Sequence, residues 1–115
     1  MLPKINRIKK KKDFEAIFKN SKSLKGSHFI FRITKNNLGV NRVGFVVSLK
    51  ISKKATVRNR IRRRLAEIIK KEIEKIENGT DLVIIALPAI VKKEFCDIKD
   101  DISEALVRAK LIKAK

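Results

Sequence analysis

Tryptophan and tyrosine are absent from this 115-residue sequence, and cysteine and histidine occur once each. A lone cysteine, Cys96, allows neither an intrachain disulfide nor a cysteine metal cage, and it fits a reducing compartment such as the cytoplasm. A lone histidine, His28, leaves no Ser-His-Asp set and no HExxH, and no phosphate-binding P-loop is present either. The chain therefore carries no evident means of cutting a phosphodiester bond by itself. It contains no run of 18 apolar residues that could span a membrane, and Met1-Leu2-Pro3-Lys4 lacks the apolar core of a secretory signal. Acidic residues are scarce: 12 Asp and Glu stand against 30 Lys and Arg, a net charge of +18. Hydrophobic residues make up 43% of the chain, ordinary for a folded protein, which argues against disorder driven by charge. The length is that of one domain, read as 1–115, with residues 1–12 a flexible basic lead-in.

The surplus of positive charge is concentrated. Residues 1–25 hold nine basic and two acidic side chains, and residues 50–71 hold ten and one, whereas residues 72–115 hold eight and nine. A solubilising surface mixes its signs, so two positive blocks predict a polyanionic partner. Anionic membrane is the rival, but neither block pairs its charge with a large apolar insertion face. Nucleic acid is preferred.

Hydrophobic periodicity lays out the elements. Asp13 can cap a short helix carrying Phe14, Ile17 and Phe18 at i, i+3 and i+4, ending near Asn20-Ser21. Phe29–Ile33 reads as a strand with Phe29, Phe31 and Ile33 on one face and His28, Ile30 and Arg32 on the other. A second strand runs from Val43 to Leu49, with Val43, Phe45, Val47 and Leu49 on one side and the small residues Gly44 and Ser48 beside Val46 on the other. That sparse face leaves room for something to lie against it. Ser52 can cap a long helix reaching about Glu77, where Asn78-Gly79 stops it. Its apolar stripe is Val57, Ile61, Leu65, Ile68, Ile69, Ile73 and Ile76. Lys53, Asn59, Arg60, Arg63, Arg64, Lys70 and Lys71 fall opposite, and Arg58 and Arg62 near the edge. Asp81–Leu87 follows as a strand whose Leu82-Val83-Ile84-Ile85 is apolar on both faces, as in a central or parallel strand, and Pro88 ends it. A last helix begins near Asp97 with Ile98, Ile102, Ala105, Leu106 and Ala109 inward; Asp97, Asp100 and Asp101 match its dipole rather than marking a metal pair. Cys96, beside Phe95, reads as half-buried.

The long helix breaks a local rule. Cations at a helix N-terminus oppose the macrodipole, each by about 0.3–1 kcal/mol, and repel one another at i, i+4. Yet Lys53, Lys54, Arg58, Arg60, Arg62, Arg63 and Arg64 crowd this start, while Glu72, Glu74 and Glu77 sit near the end. Such a break marks function rather than stability. Side-chain charge is added where backbone N–H groups already suit phosphate, and arginine adds bidentate recognition. Asn59 can hold an arginine's geometry or touch a base or ribose. Phe14 and Phe18, one turn apart beside lysines, fit either core packing or stacking with unpaired bases, with one partly buried and one partly open.

In this setting the sequence resembles the protein subunit of bacterial ribonuclease P over nearly its whole length. The residues that carry the likeness are Arg58-Asn59-Arg60 with Ile61-Arg62-Arg63, Arg42 to Ser48 with Lys50, Asn6-Arg7-Ile8-Lys9-Lys10, Asp13-Phe14 with Phe18, and Asp81 to Ala86. The resemblance implies a single-domain α+β sandwich of order α-β-β-β-α-β-α, with an extra strand near Ser23-Leu24 and a left-handed β–α–β crossover, a hand that the general rule disfavours. It implies a non-catalytic accessory subunit in a holoenzyme that removes the 5′ leader of precursor tRNA, with magnesium held by the RNA subunit and one protein per RNA. Lys53, Arg58, Asn59, Arg60, Arg62, Arg63 and Arg64 are implied to bind the RNA subunit. Lys10, Lys11, Phe14, Phe18, Arg32, Val46, Ser48 and Lys50 are implied to bind the leader, Arg32 by a phosphate contact. A small structural protein of the ribosome or another RNA particle stays open as the alternative. A DNA-binding regulator is disfavoured, because no helix-turn-helix pair precedes the basic helix.

Overall fold

The computed structural model describes residues 6–111 except Lys9, Ser27, Asn37 and Glu77. Helix α1 spans Lys11–Asn20 and is followed by strands β1 (Lys22–Lys25), β2 (Phe29–Lys35) and β3 (Arg42–Val46). Helix α2 (Ala55–Glu72) continues as a 3-10 turn over Ile73–Lys75. Strand β4 (Thr80–Ala86), a 3-10 turn at Pro88–Lys92 and helix α3 (Phe95–Arg108) complete the order. This is the expected α+β arrangement, including the short first strand.

The four strands form one sheet in the order β1-β2-β4-β3. β4 is central: it pairs antiparallel with β2 and parallel with β3, which is why Leu82-Val83-Ile84-Ile85 has no polar alternation. A parallel pair needs a crossover of a dozen residues or more, and α2 supplies it. Register then sorts the side chains. Phe29, Phe31 and Ile33 lie opposite Ala86, Ile84 and Leu82, and Val43 and Phe45 join the same face from the far side. The apolar stripes of α2 and α3 cover that face, with Leu65, Ile69, Ile102 and Leu106 fully buried against it. Burial of each such side chain contributes about 1.5–3 kcal/mol.

The other face carries a smaller cluster. Ile8, Ile17 and Val83 are buried there, with Phe14, Val46 and Ile85 packed beside them. Part of the basic lead-in is docked at this edge: Arg7 bridges to Val43, the Ile8 N–H donates to the Val43 carbonyl at 3.0 Å, and Asn6 Nδ2 donates to the Asn41 carbonyl at 2.8 Å. Lys11 and Lys12 already belong to α1. The rest of the expected lead-in, residues 1–5 and Lys9, lies outside the described residues.

Several boundaries differ from the sequence expectation. Asp13 is not the cap of α1 but sits in its first turn, two residues inside the helix that Lys10 precedes. Lys54 precedes α2; Ser52 instead accepts the Lys54 N–H at 3.1 Å in the loop before it. β3 stops at Val46 where its pairing with β4 ends, and Leu49 is 67% exposed rather than facing the core. α2 ends at Glu72, and Glu72 is buried against Ser103 rather than solvated. α3 begins at Phe95, two residues before Asp97, and Cys96 is exposed. His28 does not share a face with Ile30 and Arg32. It is fully buried just ahead of β2, edge-on to Phe29 and 3.4 Å from Asp101 of α3.

Candidate nucleic-acid interface

Two basic surfaces emerge, on different sides of the sheet. The first is the start of α2. No side chain caps this helix end. Ile61, Leu65, Ile68 and Ile69 turn the helix toward the core, so Lys53, Asn59, Arg60, Arg62 and Arg63 are exposed, while Arg58 and Arg64 are half-buried. Two arginines are pinned. Arg58 Nη1 donates to the Ser52 carbonyl at 2.9 Å, reaching back over the loop that precedes the helix. Arg62 donates through Nη1 to Asn59 Oδ1 at 2.8 Å and through Nη2 to the Val47 carbonyl at 3.3 Å. Asn59 thus holds an arginine one turn further along, rather than either of its sequence neighbours. Among the described residues, none of Lys53, Arg58, Arg60, Arg62, Arg63 and Arg64 has a carboxylate partner. Their charge is uncompensated, and the exposed Lys53, Arg60 and Arg63 make no internal side-chain hydrogen bond among the described residues, an arrangement suited to phosphate oxygens.

The second surface is the partly open face of the sheet opposite α2 and α3. α1 covers only part of that face. The Phe14 ring lies directly over Gly44: a Cβ at position 44 would stand 2.6 Å from Phe14 Cε1. The small residue expected to leave room is filled by this ring. Phe18, one turn on, is 38% exposed, and the Arg32 guanidinium carbon is 5.9 Å from its ring centroid, a cation–π contact. Val46 is half-buried beside Phe14, and Ser48 and Lys50 are exposed in the turn after β3, where Ser48 Oγ accepts the Lys50 N–H at 3.3 Å. Lys10 and Lys11 are exposed at the entrance of α1. The structure therefore places Phe14, Phe18, Arg32 and Val46 on this face, with Lys10 and Lys11 exposed at the start of α1 and Ser48 and Lys50 in the turn beyond β3. An exposed aromatic beside cations suits unpaired nucleotides, whose bases stack and whose phosphates pair with the cations.

Sequence reasoning missed a partly buried ion-pair network between β3, β4 and the start of α1. Arg42 Nε and Nη2 donate to Asp81 Oδ1 and Oδ2 at 2.9 and 2.7 Å, and Arg42 Nη1 donates to Asp13 Oδ2 at 3.4 Å. The hydrogen bonds to Asp81 raise the Arg42 guanidinium above its ordinary value, and the Asp13 charge adds to the effect. The only signal in the sequence was a charged residue near the start of each of two apolar strands. Asn41 was missed as well. It is buried, donates to the Ile73 and Ile76 carbonyls at 3.1 and 3.0 Å and accepts the Thr80 N–H at 3.1 Å, tying the end of α2 to the start of β4. Burial pushes His28 below its ordinary 6.5, against the opposing pull of Asp101. Among the described residues no three of His, Cys, Asp and Glu gather where they could hold a metal ion, and no helix is long and apolar enough to cross a membrane.

The family model described as Ribonuclease P matches residues 2–110. The ribonuclease P protein component of a Thermoanaerobacter species is 36% identical over 111 residues, covering 96% of this chain and 95% of the relative. The solved RNase P protein of Staphylococcus aureus superposes with a TM-score of 0.86 at 28% identity, covering 94% of this chain and 98% of that one. The RNase P protein of Thermotoga maritima superposes with a TM-score of 0.81 at 31% identity, covering 89% and 96%.

Proposed function

The chain belongs to the ribonuclease P protein family, the protein component of a ribonucleoprotein endoribonuclease, and from that membership we propose how its two basic surfaces divide the work. Lys53, Arg58, Asn59, Arg60, Arg62, Arg63 and Arg64 bind the phosphate backbone of the ribonuclease P RNA. The groove formed by Phe14, Phe18, Arg32 and Val46, with Lys10, Lys11, Ser48 and Lys50 around it, holds the single-stranded 5′ leader of precursor tRNA. The carrying observation is the contrast in pairing. The arginines of α2 have no carboxylate partner among the described residues, whereas Arg42, under the groove, has two. Unpaired guanidinium groups on a rigid helix are available to an RNA backbone; a paired one is not.

On this reading the protein performs no bond-breaking step. On the same reading the magnesium of the reaction belongs to the RNA subunit. Positive charge on two sides of one small domain screens the repulsion between two RNAs that must approach closely, and it raises affinity for the leader-bearing substrate. One protein joins one RNA, and the setting is cytoplasmic.

Reconstitution is the test. Mixed with a ribonuclease P RNA at low magnesium, the protein restores removal of the leader, and the protein alone stays inactive. Absence of stimulation overturns the reading. In the same system, replacing Arg60 and Arg63 by Ala lowers affinity for the RNA subunit and reduces the slope of log affinity against log salt by about 0.9 per lost phosphate contact on a duplex and about 0.7 on a single strand. An unchanged slope removes the phosphate role from these residues.

A further inference from the structure

The N-terminal end of α1 has no side-chain cap, because Lys10 stands at the position where Ser, Thr, Asp or Asn would accept a backbone N–H. What holds that end comes from the sheet. Asp81 is buried in β4, and its carboxylate receives two donors from Arg42 and a third from Asn36 Nδ2 at 2.6 Å. The two-pronged grip fixes the plane of the guanidinium. The remaining Nη1 is thereby aimed at Asp13, in the first turn of α1, at 3.4 Å. Two residues further along β3, on the same face of the sheet, Gly44 receives the Phe14 ring. Consecutive residues of α1, Asp13 and Phe14, are thus held by alternate residues of β3, Arg42 and Gly44. Ile17, one turn on, seats the middle of the helix on the same face, and the Asp13 and Phe14 attachments fix its N-terminal end. The next residue on that face, Val46, is the half-covered floor of the groove.

We propose that Arg42, held by Asp81, is a positioning residue: through Asp13 it sets where α1 stands over the sheet, and hence the width of the leader groove and the placement of Lys10 and Lys11 at its rim. Arg42 does not itself contact RNA. Its side chain is 19% exposed and three of its donors are committed to carboxylates, unlike those of Arg60 and Arg63. Asp81 supplies the fixed orientation and Asp13 transmits it. The proposal rests on the reading that the groove holds the leader.

The test uses the holoenzyme reconstituted with its RNA subunit. Dissociation constants are measured for precursor tRNA carrying a leader and for mature tRNA, and their ratio is compared across Asp13→Asn, Asp13→Glu and Phe14→Ala. Asp13 is one-third exposed, so Asp13→Asn leaves the core and the Arg42–Asp81 pair in place. The expected result is a loss of about three- to tenfold in the preference for the leader-bearing substrate with Asp13→Asn, recovery of most of it with Asp13→Glu, and unchanged affinity for the RNA subunit. If Phe14→Ala lowers the preference and Asp13→Asn does not, the groove reading stands and the positioning role is overturned. If Asp13→Asn weakens binding of both substrates equally, in step with a lower melting temperature, the contact is a plain structural bond and the proposal is overturned. If neither variant alters the preference, the groove reading fails and the positioning role falls with it.

Discussion

The two faces of the sheet are built on opposite principles. On one, Phe29, Phe31, Leu82 and Ile84 are buried under the apolar stripes of α2 and α3. On the other, Ile8, Ile17 and Val83 form a small buried hydrophobic cluster, and α1 leaves Phe18, Arg32 and Val46 partly open. Arginine use follows the same division. Arg42 spends its donors within the protein, whereas Arg60 and Arg63 are exposed on the outer side of α2 without a carboxylate partner among the described residues. The closed face supplies stability, and that stability lets the open face and the outer side of α2 keep groups that folding alone would cover or neutralise.

The largest effect that can break this comparison is Phe31→Ala. Truncation of a fully buried Phe costs about 3–5 kcal/mol, read from the denaturant midpoint, and leaves the leader preference of the folded fraction intact. A loss of that preference would show that the closed face also shapes recognition.

Phe18→Ala reverses the pattern. Phe18 is 38% exposed, so its truncation costs about 1 kcal/mol of stability, well below that of Phe31, while losing one stacked base costs about 1–3 kcal/mol of affinity for leader-bearing substrate relative to mature tRNA. A large drop in stability with equal effects on both substrates would make Phe18 a core residue and erase the distinction between the faces.

The smallest effect is acid sensitivity at His28, under α3. Burial favours its neutral form, so its folded value lies below the 6.5 of the unfolded chain, with Asp101 opposing. Between those two values the unfolded chain binds more protons than the folded one. The His28 contribution is thus intact above pH 6.5 and is lost as pH falls from 6.5 through the folded value. Melting temperatures at about pH 7.5 and 5.5 should show this loss in the parent chain and less of it in His28→Asn. The leader preference should not move in the same window, because His28 packs on the closed side.

Much of this was legible in the sequence, for local reasons. The stripe of the long helix predicted Val57, Ile61, Leu65, Ile68, Ile69, Ile73 and Ile76 inward; Val57 is half-buried against the core and the other six are buried. The unbroken apolar run of β4 predicted a central strand. The rest was hidden because it depends on partners distant in sequence. β1, Lys-Ser-Leu-Lys, carries no apolar alternation and is a strand because β2 offers it an edge. Leu49 continued the alternation of β3, but pairing with β4 had already ended at Val46. Cys96 had an apolar neighbour, yet its position on α3 faces solvent.

The sequence by itself determined which side of each helix and strand is apolar and that the positive charge is gathered in two blocks, because burial within an element follows its own period of 3.6 or 2. Only the tertiary structure decided which charges are neutralised and which are free. Arg42 finds Asp81 across 39 residues of chain and Asp13 across 29, and no periodicity along the chain encodes such a meeting. The open face was likewise decided in three dimensions: α1 seats Ile17 against Val83 and the Phe14 ring over Gly44, and Val46 beyond stays half-covered.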